Sequence, residues 1–375
     1  MSAGKSTSAD DGTPRFSRRR GILLKLHRWI GLTFGALLVL VGLAGSYLAF
    51  YPEIERATIA PLRQSPGIRP DSYEALYGAL SAIAPPERGF WKIELPPDGG
   101  VITSRYAEPG QPRRLVSIDP ATLEVVRDGY WGGTLSTWIY ELHDHLLMGP
   151  RGATVIGLVA IALMPLIVSG LILWWRSGRS MRERLKYHRH GTGRRKIYDM
   201  HRLLGASSAL LLMLALITGA ALSLPDQVRP ALADFSEVAP LPHPQSAPAQ
   251  GRERIPLDRA MAIAREHLPG TDIRWITIPN EPRGPYVMSF WQEGEPDRRF
   301  PASQIYLDQY DGRVLAVYDS LDQSAGSRIV AWLYPLHRGE AFGLVGRAVV
   351  ALFGLLPAIL FTTGLLLYRS RAARR

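Results

Sequence analysis

The sequence contains no cysteine among its 375 residues. This absence excludes disulfide bonds, iron–sulfur clusters, thiolate zinc sites, cysteine nucleophiles and haem attached through a CxxCH motif. Acidic residues are also scarce relative to basic ones, because 33 Asp and Glu stand against 44 Lys and Arg, a formal net charge of +11. A nucleic-acid-binding protein would need those basic residues on one folded face, so their distribution along the chain decides what the charge means.

Charged residues are nearly absent from four long apolar blocks. Each block offers about 20 residues or more, the length that a helix needs to cross ~30 Å of hydrocarbon. Backbone groups in lipid must bond within their own segment, so the blocks predict a four-transmembrane-helix bundle. The blocks cover residues 22–51, 153–175, 203–224 and 344–368.

Basic residues are concentrated in three segments, 1–28, 176–202 and 369–375, which carry 21 Lys and Arg against four acids. The remainder carries 23 Lys and Arg against 29 acids. Positively charged short loops remain in the cytoplasm, so we expect both termini inside and the segments 52–142 and 225–336 outside. The basic excess therefore indicates orientation, and no domain is left to bind nucleic acid.

The stretch 17–25, with its three consecutive arginines, resembles a twin-arginine export signal. The apolar run that follows is about twice as long as the ~7–15 residues of a cleaved signal. An uncleaved first helix is therefore favoured.

The chain also shows an internal repeat. Four histidines each precede a glycine at one of two fixed distances, and each distance occurs once in each half of the chain. This agreement predicts a duplicated unit of helix, outer segment and helix. The pairs are His27 with Gly45 and His201 with Gly219, 18 residues apart, and His143 with Gly170 and His337 with Gly364, 27 residues apart.

Both outer segments combine one helical pattern with short strand-like runs, so each predicts a small α+β module. Asp119 and Asp308 each begin a turn between two such runs. The proline-rich stretch 239–251 predicts a linker. The helical patterns cover 71–83 and 257–267, and the strand-like runs cover 91–95, 101–106, 114–118, 123–126, 273–278, 286–291, 305–307 and 314–318.

The four repeated histidines lie at the ends of predicted membrane helices. With cytoplasmic termini, His27 and His201 form an inner pair, and His143 and His337 form an outer pair. Two imidazoles on facing helices can ligate a haem iron axially, and helix bundles commonly build cofactor sites in this way. Without cysteine, such haem is non-covalent and b-type. The pattern predicts two bis-histidine haem b groups.

Other interpretations of these histidines remain open. A single histidine at a membrane boundary also packs there or bonds lipid headgroups, and zinc needs more ligands than a pair, although Asp144 or Glu141 would extend the outer set. His145 is the alternative to His143. Residues two apart on a helix point about 200° away from each other, so only one of them serves a given ring, and the repeat favours His143.

Arg28, Arg202 and Arg338 directly follow three of these histidines and are candidate partners for haem propionates. Arg28 and Arg202 are explained equally well by the preference of basic residues for the cytoplasmic side of a membrane. That preference does not explain Arg338, which is predicted to lie outside. A straight helix from residue 143 to 176 would measure about 50 Å, beyond the ~40–45 Å of a bilayer with headgroups. Either the outer pair lies at or above the outer surface, or the chain bends near 149–150 and 343.

Several of these motifs resemble the PepSY-associated transmembrane family. They are Leu-His-Arg-Trp-Ile-Gly at 26–31, Ser-Gly-Leu-Ile-Leu-Trp-Trp at 169–175 and Leu-His-Arg-Gly at 336–339, and the turns at Asp119 and Asp308 are similar to PepSY modules. The resemblance covers nearly all of residues 20–370. The first module departs from the usual Asp-x-x-x-Gly turn, because Thr122-Leu123 stands where glycine is expected.

The resemblance implies a multi-pass protein of the bacterial inner membrane with two periplasmic PepSY-like regions. In characterised relatives it implies a dihaem reductase of ferric siderophores, which would make the two histidine pairs axial ligands. The predicted order is a basic tail (1–21), helix one (22–51), PepSY-like region one (52–142), a pre-helix with helix two (143–175), a basic loop (176–197), helix three (198–224), PepSY-like region two (225–336), a pre-helix with helix four (337–368) and a basic tail (369–375).

The resulting hypothesis is an electron-transfer protein, with a ferric reductase as the implied enzyme. A cytoplasmic or quinol donor would reduce the inner haem, and the outer haem would reduce a periplasmic ferric siderophore or another acceptor. The alternative is a non-enzymatic, membrane-anchored PepSY protein that binds a peptide or modulates a protease. A metal-ion transporter is disfavoured, because the spans carry almost no acidic or polar residues to line a path.

Overall fold

The computed structural model describes residues 13–175 and 180–372. Within them, four helices are long and apolar enough to cross a membrane, which confirms the four predicted spans. Parts of the predicted basic tails and loop, at 1–12, 176–179 and 373–375, lie outside the described residues. The α-helices are α1 (Thr13–Leu48), α2 (Tyr51–Thr58), α3 (Tyr73–Ile83), α4 (Leu135–His145), α5 (Pro150–Trp175), α6 (Met181–Arg184), α7 (Gly193–Ser223), α8 (Pro225–Ala233), α9 (Leu257–His267), α10 (Ala325–Arg338) and α11 (Gly343–Ala372).

The four long helices form a closed bundle in which α1 packs along α11 and α5 packs along α7, while α1 also contacts α5 and α7 contacts α11. Small residues allow the close approach of α1 and α11. A Cβ atom at Gly42 would lie 2.7 Å from the backbone oxygen of Gly354, and Ser46 Oγ donates to Ala351 O at 2.8 Å. Membrane helices commonly associate through such small-residue contacts, since lipid supplies no hydrophobic drive between them.

The part of the molecule beyond the long helices is built on one eight-stranded antiparallel sheet. Its strand order is β4-β3-β2-β1-β5-β6-β7-β8, so each half of the chain contributes four neighbouring strands. The strands are β1 (Phe90–Glu94), β2 (Ile102–Ala107), β3 (Arg114–Ile118), β4 (Val125–Tyr130), β5 (Asp272–Thr277), β6 (Tyr286–Trp291), β7 (Gln304–Leu307) and β8 (Val314–Tyr318).

The two predicted modules are joined through β1 and β5, which pair with Ile93 opposite Ile276. Pairing satisfies the backbone groups of two strands that would otherwise be exposed sheet edges. Helices α3 and α9 contact each other and bury their apolar residues in the same core as these strands, with Leu76 and Leu257 fully buried. The modules therefore share one hydrophobic core, a junction that the sequence pattern does not predict.

The turns at Asp119 and Asp308 have the same geometry despite the missing glycine. Leu123 N donates to Asp119 O at 2.9 Å, and Gly312 N donates to Asp308 O at 3.1 Å. Leu123 adopts φ +59°, close to the +76° of Gly312, although left-handed backbone costs a non-glycine residue roughly 1–2 kcal/mol. Because Leu123 belongs to the turn, β4 begins at Val125 and not at the predicted residue 123.

The chain bends before two of the membrane helices. Helix α4 ends at His145, and Leu146, Leu147 and Gly149 take positive φ values before α5 begins at Pro150. Gly339 and Gly343 make the corresponding bend between α10 and α11. Of the two sequence-based alternatives, the bend is therefore the one that occurs. It brings α4 back against the C-terminal end of α1.

Candidate functional site

The bundle encloses a cavity of about 1420 Å³ that all four repeated histidines line. This volume exceeds the roughly 300–1,000 Å³ of a typical small-molecule pocket. Apolar side chains line its middle, including Leu38, Leu163 and Phe353, whereas several arginines line its ends. Such a cavity suits large, mainly apolar ligands that carry charge at the periphery.

The histidines meet in two pairs. His27 on α1 and His201 on α7 have ring centroids 6.3 Å apart, and His143 on α4 and His337 on α10 have centroids 6.0 Å apart. Two imidazoles that ligate one metal from opposite sides need centroids about 6 Å apart, since each metal–nitrogen bond is about 2 Å and the nitrogen lies about 1 Å from the centroid. Both pairs thus have the spacing of axial ligands.

Each imidazole is oriented by a hydrogen bond from Nδ1 to a neighbouring membrane helix. A bond of this kind fixes the ring and leaves the Nε2 lone pair free for a metal, as second-shell partners of metal-binding histidines do. Nδ1 lies 3.1 Å from Leu166 O in His27, 3.1 Å from Leu360 O in His201, 2.9 Å from Val41 O in His143 and 2.9 Å from Thr218 Oγ1 in His337.

Each of the four repeated glycines lies against the imidazole of a repeated histidine on another helix, which explains why glycine recurs at these positions. A larger residue at these positions would occupy the space of the ring. A Cβ atom would lie 3.0 Å from His27 Cε1 at Gly170, 3.4 Å from His201 Cε1 at Gly364, 2.9 Å from His143 Cε1 at Gly45 and 3.1 Å from His337 Cε1 at Gly219. The sequence shows the distances along the chain, but not that each glycine serves a histidine on another helix.

His145 lies apart from the cavity. Its Nδ1 is 3.3 Å from Glu141 Oε2 and 3.5 Å from Asp144 Oδ2, and only His143 of the two α4 histidines lines the cavity. Among residues 13–175 and 180–372, no group of three or more His, Asp or Glu side chains is placed to hold a metal ion. The zinc alternative therefore finds no site in that part of the chain.

The three predicted arginines all line the cavity but differ in their partners. Arg28 Nε donates to Leu24 O of its own helix at 3.3 Å. Arg338 lies 3.2 Å from Asp297 Oδ2 and 4.9 Å from the ring centroid of Tyr334. Among these arginines, Arg28 has no carboxylate partner within the described residues, so its guanidinium is available to an anionic ligand.

Arg202 belongs to a buried ionic cluster that sequence reasoning missed. Asp199 is fully buried, and its carboxylate lies 3.2 Å from Arg202 Nη2, 3.1 Å from Arg195 Nε and 2.7 Å from His188 Nδ1. Arg202 also donates to Lys186 O at 2.7 Å. The sequence suggests only a solvated His188. The signal for the cluster is an acidic residue at the start of a membrane helix, where an unpaired charge is costly.

Replacing Asp199 by alanine is expected to release the loop 180–192 from the bundle. The substitution leaves the buried guanidinium of Arg202 without its counter-ion, and breaking a buried pair costs about 3–5 kcal/mol. In detergent, trypsin should cleave at Arg182 or Lys186 at least ten times faster than in the wild type. Asp226→Ala removes an exposed acid in α8 and should leave the rate unchanged; equal rates in both variants would contradict the clamping role.

The amino-acid sequence matches a known family over nearly its whole length. The profile of the family described as PepSY-associated TM region matches residues 24–371, which include all four histidines and most of each long helix. A comparison with curated proteins finds no match. Because the profile extends over nearly the entire chain, the protein belongs to the PepSY-associated transmembrane family.

Proposed function

We propose that this protein carries electrons across the bacterial inner membrane to a periplasmic ferric siderophore, with two non-covalent b-type haems held by its histidine pairs. The observation that supports the proposal is the 6.3 Å and 6.0 Å spacing of the two pairs, each with Nδ1 bonded and Nε2 free. A bound haem supplies a one-electron redox centre, while the protein supplies binding, orientation and electrostatics.

The two pairs lie near opposite ends of the bundle, as transfer across a membrane requires. His27 and Gly45 lie on α1, 18 residues apart, which corresponds to about 27 Å of helix. Gly45 in turn contacts His143 of the outer pair. Between the pairs the cavity is lined by apolar side chains such as Leu38, Leu163 and Phe353.

The charge distribution supports the orientation of the bundle in the membrane. Arg20, Arg194 and Arg195 line the cavity at the end that holds His27 and His201, and this end faces the cytoplasm in the orientation with both termini inside. The donor there is a cytoplasmic protein or a quinol. On the outer side, the hard oxygen ligands of a siderophore bind iron(II) more weakly than iron(III), so reduction releases the metal.

Visible spectroscopy of the protein purified in detergent tests the proposal. We expect a sharp α-band after reduction with dithionite, two haems per chain, and reoxidation of the reduced protein by a ferric siderophore. A colourless protein from cells supplied with haem would refute the redox function and favour the membrane-anchored regulatory alternative. Two haems that no ferric siderophore reoxidises would refute the acceptor.

A further inference from the structure

An arch of aromatic rings connects the outer end of the cavity to the sheet. It starts and ends at two residues that line the cavity, Tyr140 and Tyr334. Tyr140 packs on Trp131 at 5.3 Å, and Tyr334 packs on Phe300 at 5.6 Å, which stacks on Trp275 at 5.4 Å. The guanidinium of Arg105 lies 5.1 Å from the Trp131 ring and 4.7 Å from the Trp275 ring and so completes the arch.

Three cations crowd around the two tryptophans of this arch. Lys92 and Arg105 lie directly opposite each other in β1 and β2, where like charges destabilise an antiparallel pair. Lys92 Nζ lies 5.1 Å from the Trp275 ring, and the exposed Arg113 lies 5.5 Å from the Trp131 ring. We refer to Lys92, Arg105 and Arg113 as the cationic patch. Local rules of sheet design are commonly broken where a site has a function.

Neighbouring carboxylates offset only part of the charge of the patch. Glu94 lies 3.7 Å from Arg105, but it is shared with Arg299, whose Nε donates to it at 2.6 Å. Glu141 accepts a 2.7 Å hydrogen bond from Trp131 Nε1 and places a second negative charge beside the patch. Arg105 Nε is buried without a hydrogen-bond partner among the described residues. Burial, and then repulsion by Arg105 and Arg113, lowers the pKa of Lys92. An added anion would relieve both the repulsion and the unpaired donor.

We propose that the cationic patch binds a metal chelate of net negative charge through its carboxylate or catecholate oxygens. Guanidinium and ammonium groups supply donors to such oxygens, and the half-buried ring of Trp131 supplies contact area for the rest of the ligand. Because Trp131 packs on Tyr140, which lines the cavity, the arch places this ligand near the outer end of the cavity. Its role as the electron acceptor rests on the proposed function, whereas its binding does not.

Isothermal calorimetry on the oxidised full-length protein tests this site, with gallium(III) citrate as a redox-inactive substitute for an anionic ferric chelate. Lys92→Gln and Arg105→Gln should each weaken binding at least tenfold. Arg298→Gln removes a cation 5.5 Å from the Trp291 ring, outside the patch, and should not change the affinity. A gallium trihydroxamate complex without net negative charge should bind at least ten times more weakly than gallium citrate.

The variants also separate binding from folding. Lys92→Gln removes a like-charge pair, so it should unfold at the same temperature as the wild type or a higher one while it loses the ligand. Unchanged affinity in both patch variants, or equal affinity for the two gallium complexes, would overturn the proposal. A colourless protein that binds gallium citrate would refute the redox function alone, and a dihaem protein that binds none would refute the patch alone.

Discussion

Replacing His337 by alanine is expected to remove one of two haems and to leave the other in place. The imidazole of His337 pairs with that of His143, whereas the inner pair, His27 and His201, lies on other helices, α1 and α7. Haem content measured as the pyridine haemochrome should fall to about one half, and the reduced α-band should fall with it. Reoxidation by a ferric chelate should slow at least tenfold, because the outer centre is the one nearest the acceptor.

His145→Ala is the matched control for this experiment. His145 lies on α4 two residues from His143, but it interacts with Glu141 and Asp144 and does not line the cavity. Its loss should leave two haems per chain. His27→Ala should remove the other haem, so its spectrum added to that of His337→Ala should reproduce the wild type. Full haem content in both variants would rule out these histidines as ligands.

Replacing Gly219 by leucine is expected to remove the outer haem while every histidine remains in the sequence. A Cβ atom at this position already lies 3.1 Å from His337 Cε1, so a branched side chain must displace the imidazole from its hydrogen bond with Thr218. Overpacking of this kind costs about 1–3 kcal/mol, which is less than the roughly 5–15 kcal/mol by which folded proteins are typically stable. Haem content should fall to about one half, as with His337→Ala.

Gly170→Leu should have the same effect on the inner haem, since a Cβ atom there lies 3.0 Å from His27 Cε1. Gly21→Leu is the control, because a Cβ atom at Gly21 in α1 meets nothing within 4 Å. Circular dichroism should show intact helices in all three variants. If Gly219→Leu and Gly170→Leu both retain two haems, the glycines serve helix packing and not the imidazoles.

Parts of the candidate site follow from sequence because they repeat. His27 and His201 occur in the same local motif and at the same distance from a glycine, so a single chain suffices to separate them from the other histidines. Asp199 occurs once, and Lys25 occupies the corresponding position before His27. The repeat therefore does not mark Asp199, and its one signal is its place at the start of a membrane helix. That signal does not name its partners His188 and Arg202, which depend on how the loop 180–192 folds back onto α7.

The aromatic arch could not be predicted from the sequence either, because it also depends on contacts between distant segments. Trp131 and Trp275 belong to different halves of the chain and meet through Arg105 only because β1 pairs with β5. Strand patterns indicate which residues share a face of one strand, but not which edge strands will pair. The crowding of Lys92 and Arg105 likewise becomes visible only once the register of β1 against β2 is known.

Short stretches of sequence are enough to predict the four membrane helices, the repeated histidines and the uneven distribution of charge, because hydropathy, spacing and charge are local properties. Only the packed structure shows that His143 and not His145 faces the cavity, that each repeated glycine accommodates an imidazole, and that two modules share one sheet. These features depend on contacts between segments far apart in the chain, whose free energy is gained only when the helices and strands pack together.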